Sequence, residues 1–286
     1  MTPPLSGIEA ITFDFGNTLV PVGRPALRRV VELTADAVVA RDPRIDRTAF
    51  LAAWAEERDR QFRENVPQFG EVDIAERLVR VFARLRGSAP PAAGGAWDDA
   101  TAAAWSDVSE IEATVEAYSS AFVAGMPPAP GVRELLEQLA GEGRRLAILS
   151  NWPLAATIDR YADAFGWTRH LVSIVVSQRV GVIKPHPAIF AATRAMLGDP
   201  AARAILHVGD DWAADVVGAA AAGWRTAWIT SRPPDSPLPG SLPDGSATPD
   251  LELPDVGTLA RGLAPVEANR IDETAQGARA GSGSGG

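Results

Sequence analysis

Five side chains spread along the chain have the types that phosphoryl chemistry needs: Asp14, Ser150, Lys184, Asp210 and Asp215. A carboxylate can attack as a nucleophile, and a hydroxyl and an ammonium can hold the oxygens of the group being transferred. Further carboxylates offer hard oxygen ligands to a cation such as Mg²⁺. Each residue has a blander reading on its own. An Asp before Gly-Asn is commonly a turn or cap residue, Ser150 and Asn151 would cap a helix starting near Pro153, and a Lys before Pro is commonly a solvated loop charge. Their placement argues otherwise. Asp14 closes the apolar run IEAITFDF, Ser150 closes RRLAILS, Lys184 lies in the loop after SIVVSQ, and Asp210 follows AILHVG, with Asp215 in the first turn of the next helix. In a parallel α/β sheet, residues beyond the carboxyl ends of successive strands converge on one site.

The elements that must position these residues are readable from periodicity. From Pro25 to about Met126, the segments ALRRVVELTADAVVA, RTAFLAAWAEERDRQF, DIAERLVRVFARLR and EIEATVEAYSSAF place apolar residues at three- and four-residue spacing, which predicts a helical block. PPAPG at 127–131 breaks it. Helix and strand patterns then alternate through VRELLEQLAGEG, RRLAILSN, LAATIDRYADAFG, HLVSIVVS, HPAIFAATRAMLG, AILHVGDD, WAADVVGAAAAG and WRTAWIT, the arithmetic of βαβ units. The expected fold class is α/β, a doubly wound and mainly parallel sheet from residues 1–23 and 127–264 with an α-helical cap inserted at 24–126. Residues 231–248 read as a Pro, Ser and Gly loop, PDLELPDVGTLARGL as a last edge strand and helix, and 265–286, ending GSGSGG, as a flexible tail or added linker.

FDFGNTLV at 13–20, ILSN at 148–151, the Lys184-Pro185 pair and VGDDWAAD at 208–215 resemble, in order, the motifs of the haloacid dehalogenase (HAD) superfamily, whose core is Rossmann-like and often carries a helical cap between the first and second motifs. The resemblance implies that Asp14 is a nucleophile forming an aspartyl-phosphate, with Ser150 and Lys184 neutralising the transferring group. It implies Mg²⁺ as cofactor, held by Asp14, the Gly16 carbonyl and Asp210, with Asp215 holding bound water or orienting Lys184. Backbone N–H groups of the Gly16, Asn17 and Thr18 turn and of Asn151 would donate to phosphoryl oxygens. The expected substrate is a small phosphorylated metabolite.

One position departs from that pattern. Phosphatases of that superfamily usually carry a second Asp two residues after the nucleophile, which protonates the leaving oxygen and then activates water; here Gly16 stands there, as the resemblance implies for members with a Gly-Asn pair, which include sugar-phosphate phosphatases. A halide leaves without a proton, so a metal-free 2-haloacid dehalogenase using Asp14 is an alternative. The acidic cluster argues against it, because Asp14, Asp210 and Asp215 would repel one another without a cation. A non-catalytic module binding a phosphorylated ligand or a protein is the third reading.

Composition sets outer bounds. No cysteine among 286 residues removes disulfides and thiolate chemistry and fits a reducing compartment, with the cytoplasm as the default expectation. No run approaches the roughly 18 apolar residues of a membrane span, and MTPPLSGIEAITFDFG has no basic region before an apolar stretch. A net charge of −9 makes nucleic acid a poor partner. Oligomeric state is not encoded in any feature. Asp211 reads as a helix cap, His170, His186 and His207 as structural, with His186 the one that would replace the missing acid. Trp152 and Trp212 read equally as pocket-mouth or packing residues. Arg24, Arg58, Arg60 and Arg63 read as a charged helix face from which one would reach the substrate.

Overall fold

β1, Ala10–Phe13, is buried along its whole length, which is why its AITF sequence shows no alternation of apolar and polar residues. It is the hinge of the topology. The computed structural model describes residues 5–87 and 106–265, and in it six strands form one sheet in the order β3-β2-β1-β4-β5-β6. The others are β2 Arg145–Ser150, β3 Leu171–Val176, β4 Ile205–Gly209, β5 Arg225–Ile229 and β6 Leu251–Leu253, and every pairing is parallel. The chain runs outward on one side of β1 through β2 and β3, then returns to place β4 on the other side. Between β1 and β4 the strand order reverses, and at such a switch point adjacent loops diverge and leave a crevice. Asp14 and Asp210 follow the two strands flanking it.

The helices come where the periodicity puts them. Between β1 and β2 lie α1 (Arg24–Arg41), α2 (Arg47–Glu64), α3 (Ile74–Leu85) and α4 (Val108–Gly125), followed by α5 (Val132–Gly141). Three of these starts are capped by aspartates. Asp46 accepts from the Ala49 N–H, Asp73 from the Ala75 and Glu76 N–H groups, and Asp107 from Ser109 N–H, satisfying donors that a helix start leaves open. After β2 come α6 (Ala155–Ala164), a short turn Ser177–Val180, α7 (Pro187–Met196), and a π-helical turn Trp212–Val217 running into Gly218–Ala221. Among the described residues no helix is long and apolar enough to cross a membrane.

Two expectations shift in detail. The first strand is Ala10–Phe13 rather than 8–15, so Asp14 lies one residue past its end instead of inside it. The edge strand expected at PDLEL is β6, but the helix after it is wound as a 3₁₀ segment, Val256–Gly262. Residues 88–105 of the helical block and 266–286 of the expected tail lie outside the described residues.

An aromatic cluster joins the inserted helices to the sheet side. Phe122 of α4 is edge-on to Trp152 at 5.2 Å, Phe15 to Trp152 at 5.1 Å and to Tyr161 at 5.2 Å, and all four are buried. Tyr161 also donates its hydroxyl to the Met126 carbonyl at 2.7 Å, just past the end of α4. Tyr161→Phe leaves that buried carbonyl without its donor, a cost of about 1–3 kcal/mol. Thermal unfolding should register this as a loss of a few degrees in Tm with unchanged turnover. An unchanged Tm would mean that the bond adds nothing over water.

Candidate active site

Strand register brings the first pair together. Phe13 pairs with Val208 and the Asp14 N–H donates to the Val208 carbonyl at 2.8 Å, so Asp14 leaves β1 beside Gly209, and Asp210, one residue further, brings a carboxylate oxygen within 4.8 Å of one of Asp14. Asp14 is 8% exposed and Asp210 6% exposed, so both carboxylates sit where little water can screen them. Gly209 between them and the following turn is required by close approach: a Cβ there would collide with the Asp215 carboxylate.

Lys184 is the centre of the polar network. Its ammonium donates to Asp14 Oδ1 at 2.8 Å, Asp215 Oδ1 at 2.6 Å and the Leu149 carbonyl at 2.9 Å, which uses its three protons. Burial works against its charge, but Asp14 and Asp215 hold its pKa above the ordinary lysine value. Asp215 is likewise pushed up by burial, yet Lys184 and His207 together pull it below the usual carboxylate range. Its second oxygen accepts the Asp211 N–H at 2.9 Å. Asp14 stays above its usual value, because burial outweighs the pull of Lys184 and Asp215 adds its own repulsion.

Ser150 donates to Asp14 Oδ1 at 3.0 Å. Ser150 and Asn151 do not cap the next helix, which was the blander of their two readings. The α6 start is capped by Gln178, whose Oε1 accepts the Ala155 N–H at 2.6 Å, while Ser150 is engaged with Asp14 and Asn151 with the lysine loop. Asn151 accepts the Lys184 N–H at 2.6 Å and donates to the Lys184 carbonyl at 3.0 Å, clamping the backbone that carries the ammonium. Asn17 adopts φ 60°, a left-handed conformation that Asn tolerates well. Its N–H, expected to be open to a ligand, donates to the Val20 carbonyl at 2.7 Å and closes the turn. The side chains of Asn17 and Thr18 point toward Asp210, at 3.4 and 3.5 Å.

Asp14, Asp210 and Asp215 each offer an oxygen, and these atoms lie within 4.8 Å of one another. Burial, with Asp14 and Asp215 adding charge repulsion, pushes Asp210 up to about 8. Three buried carboxylates at that spacing, with Lys184 and Arg232 as their cationic partners, are a hard-oxygen set still short of one positive charge when all are ionised, and they fit a divalent cation such as Mg²⁺. Asp215 already has both oxygens committed to Lys184, His207 and the Asp211 N–H, so it suits orienting the lysine better than direct ligation.

Several partners were not visible in the motifs. His207 Nε2 meets Asp215 Oδ1 at 3.0 Å and its Nδ1 meets the Thr12 hydroxyl at 2.8 Å, a chain of contacts running along two strands toward Lys184. Burial lowers the His207 pKa, and by its contact with Asp215 the residue read as structural serves as a support for that carboxylate. From the loop after β5, Arg232 pairs with Asp210 Oδ2 at 3.2 Å, Ser236 accepts from Asn17 at 3.0 Å and Ser241 donates to Asp211 at 2.6 Å. Asp211 caps the following helix through the Ala214 N–H, as expected.

His186, Arg58 and Arg60 are engaged outside the cluster. His186 accepts the Ala188 N–H as cap of α7 and lies beside Phe69, so it is not the replacement acid beside Asp14. Trp152 and Trp212 are 2% and 4% exposed, Trp152 with its ring edge beside Gly16 and Trp212 edge-on to Trp228. Arg58 pairs with Asp59 and Arg60 with Glu64 on the outer helix face.

With this geometry in view, comparison with known proteins gives a consistent result. A family model described as haloacid dehalogenase-like hydrolase matches residues 8–223. A ribulose-1,5-bisphosphate 5-phosphatase of Halopiger xanaduensis is 35% identical over 112 residues, covering 39% of this chain and 46% of that protein. The chain spans about half the length of the curated relatives it matches. A solved 2-haloacid dehalogenase from Pseudomonas syringae pv. Tomato superposes with a TM-score of 0.62 at 23% identity, covering 89% of this chain and 97% of its own. A phosphatase structure from Thermococcus onnurineus superposes at 0.57 and 18% identity, covering 91% and 100%. At these identities the two structures speak for the fold alone, and the fold is common to both chemistries.

Proposed function

Because the chain belongs to the haloacid dehalogenase-like hydrolases, we propose that it is a Mg²⁺-dependent phosphatase of a small phosphorylated metabolite, working through an aspartyl-phosphate on Asp14. The observation that carries this reading is the shared contact of Ser150 and Lys184 with Asp14 Oδ1, at 3.0 and 2.8 Å, beside a set of three carboxylates within 4.8 Å. Both contacts fall on Oδ1, so Oδ2 is the oxygen able to turn toward phosphorus. Lys184 and Ser150 then stabilise charge on the transferring oxygens, Asp215 and His207 hold Lys184 in place, and Asn151 fixes its loop. Asp14, the Gly16 carbonyl and Asp210 would hold the cation, which when bound neutralises phosphoryl oxygens and carboxylates alike. Asn17 and Thr18 shape the turn beside Asp210 and present it to substrate. The inserted helices α1 to α4 act as a cap that shields the site and selects the substrate.

A second reading, dehalogenation at carbon by Asp14 without metal, is favoured by Gly16, since halide needs no proton to depart. The acidic cluster counts against it. Hydrolysis of p-nitrophenyl phosphate with and without Mg²⁺, beside halide release from 2-haloacids without metal, separates the two: turnover of the ester only with Mg²⁺ supports the phosphatase, and halide release alone overturns it.

The metal assignment has its own consequence for stability. Mg²⁺ should raise the Tm of the wild-type chain by linkage and leave Asp210→Asn unmoved. In metal-free buffer near pH 7 the substituted protein should melt a few degrees higher, since burying Asp210 among like charges is relieved without loss of packing. Equal Mg²⁺ shifts in both proteins would place the cation elsewhere.

A further inference from the structure

The side chain missing at Gly16 is replaced in space by another residue. A Cβ built on Gly16 would stand 2.5 Å from Leu238 Cδ1 and 3.2 Å from Trp152 Cζ3, so the volume beside the nucleophile is taken by apolar carbon. Leu238 comes from the segment 231–248 after β5, and that segment is fastened to the site at several points. Arg232 pairs with Asp210 at 3.2 Å and donates to the Leu238 carbonyl at 2.9 Å and the Pro239 carbonyl at 3.2 Å, tying the backbone at Leu238 to the acidic cluster. Ser236, two residues earlier, shares hydrogen bonds with Asn17 at 3.0 and 3.3 Å. Leu238 itself packs on the main apolar core, beside a buried Trp152.

We infer that Leu238, backed by Trp152, is a specificity-determining residue that walls the leaving-group side of Asp14 with hydrocarbon. The site would then favour phosphates whose leaving oxygen departs without a proton, such as aryl, enol and acyl phosphates, over phosphates of ordinary alcohols. This rests on the phosphatase reading above and narrows its substrate class. In the first step an Asp14 oxygen bonds to phosphorus while the bond from phosphorus to the leaving oxygen breaks, and the electron pair leaves on that oxygen as an anion. In the second, water attacks phosphorus, the bond to Asp14 breaks and restores the carboxylate, and the proton of the water passes to solvent as phosphate leaves. Neither step has a carboxyl at position 16 to give or take a proton. His186, engaged at a helix start, and His207, buried behind Asp215, do not fill that place. Loss of such a group costs about 10²- to 10⁴-fold when the leaving group is a strong base.

The test is kcat/KM with Mg²⁺ for ring-substituted phenyl phosphates of similar size, from p-nitrophenyl to unsubstituted phenyl. The wild-type value should fall on the order of 10²-fold or more along the series as the phenol becomes the stronger base. Gly16→Asp alone should keep that steep dependence, since its side chain meets Leu238. Gly16→Asp with Leu238→Ala should flatten it by opening room for the new carboxyl. A flat wild-type series overturns the inference and leaves the phosphatase reading standing. Equal flattening by Gly16→Asp alone removes Leu238 from it. No hydrolysis of any member overturns the phosphatase reading and the inference together. Should the double variant fail to fold, the wild-type slope still decides.

Discussion

Asp14→Asn is expected to lower Mg²⁺-dependent turnover of p-nitrophenyl phosphate by on the order of 10⁴- to 10⁶-fold, the scale seen when a covalent nucleophile is removed. The amide is close to isosteric with the carboxylate and keeps an oxygen to accept from Ser150 and Lys184, so the contacts at 3.0 and 2.8 Å have a partner after substitution. Binding and electrostatic stabilisation are therefore left mostly in place while the attacking atom is lost. The substituted protein should also melt no lower than the wild type, because Asp14 is held ionised against burial and against Asp215, and the neutral amide escapes both costs. Turnover within tenfold of wild type would show that water attacks phosphorus directly and that Asp14 only positions it.

The second large effect concerns Lys184, whose removal strands two buried carboxylates. It is 2% exposed and pairs at 2.8 Å with Asp14 and at 2.6 Å with Asp215. Breaking such a buried network by deleting one partner costs about 3–5 kcal/mol, and removing a donor aimed at developing charge costs roughly 10²- to 10³-fold in rate. Lys184→Met should thus lose stability and activity at once. Adding Asp215→Asn should recover part of the Tm by removing one stranded charge, with no recovery of rate, since the missing donor is still missing. Thermal unfolding and kcat/KM on the two variants separate the roles. Recovery of rate in the double variant would mean that Lys184 matters only for folding, and an unchanged Tm in the single variant would contradict the buried network.

The parts of this picture that a sequence carries are those written locally. Asp14, Ser150 and Asp210 each follow an apolar run of strand length, and Lys184 and Asp215 stand one loop or one turn beyond, so strand ends alone bring them to one edge of the sheet. The helices from Arg24 to Leu85 show their period, and α2 and α3 are preceded by the aspartates that cap them. What was not legible depends on where a segment without periodicity folds back. Residues 231–248 have the composition of a surface loop, yet Arg232, Ser236 and Leu238 reach Asp210, Asn17 and the space beside Gly16. No spacing in PPDSPLPG announces those contacts. His207 was similar: an imidazole inside an apolar strand looks structural, and only the register of β1 against β4 sets it between Thr12 and Asp215. The capping alternative for Ser150 and Asn151 stays open in the sequence because the partners they have in the fold, Asp14 and the Lys184 backbone, lie more than thirty residues away.

The central claim is a covalent phosphoryl group on Asp14. With Gly16 giving no base for the second step, that adduct should outlast its formation and accumulate during turnover. The direct measurement is an acid quench of the wild-type protein during Mg²⁺-dependent p-nitrophenyl phosphate hydrolysis, followed by mass analysis of the peptide carrying Asp14. A phosphoryl adduct on that residue, absent without Mg²⁺ and absent in Asp14→Asn, is the result this account predicts. An unmodified Asp14 peptide at every time point while p-nitrophenol is being released would contradict it.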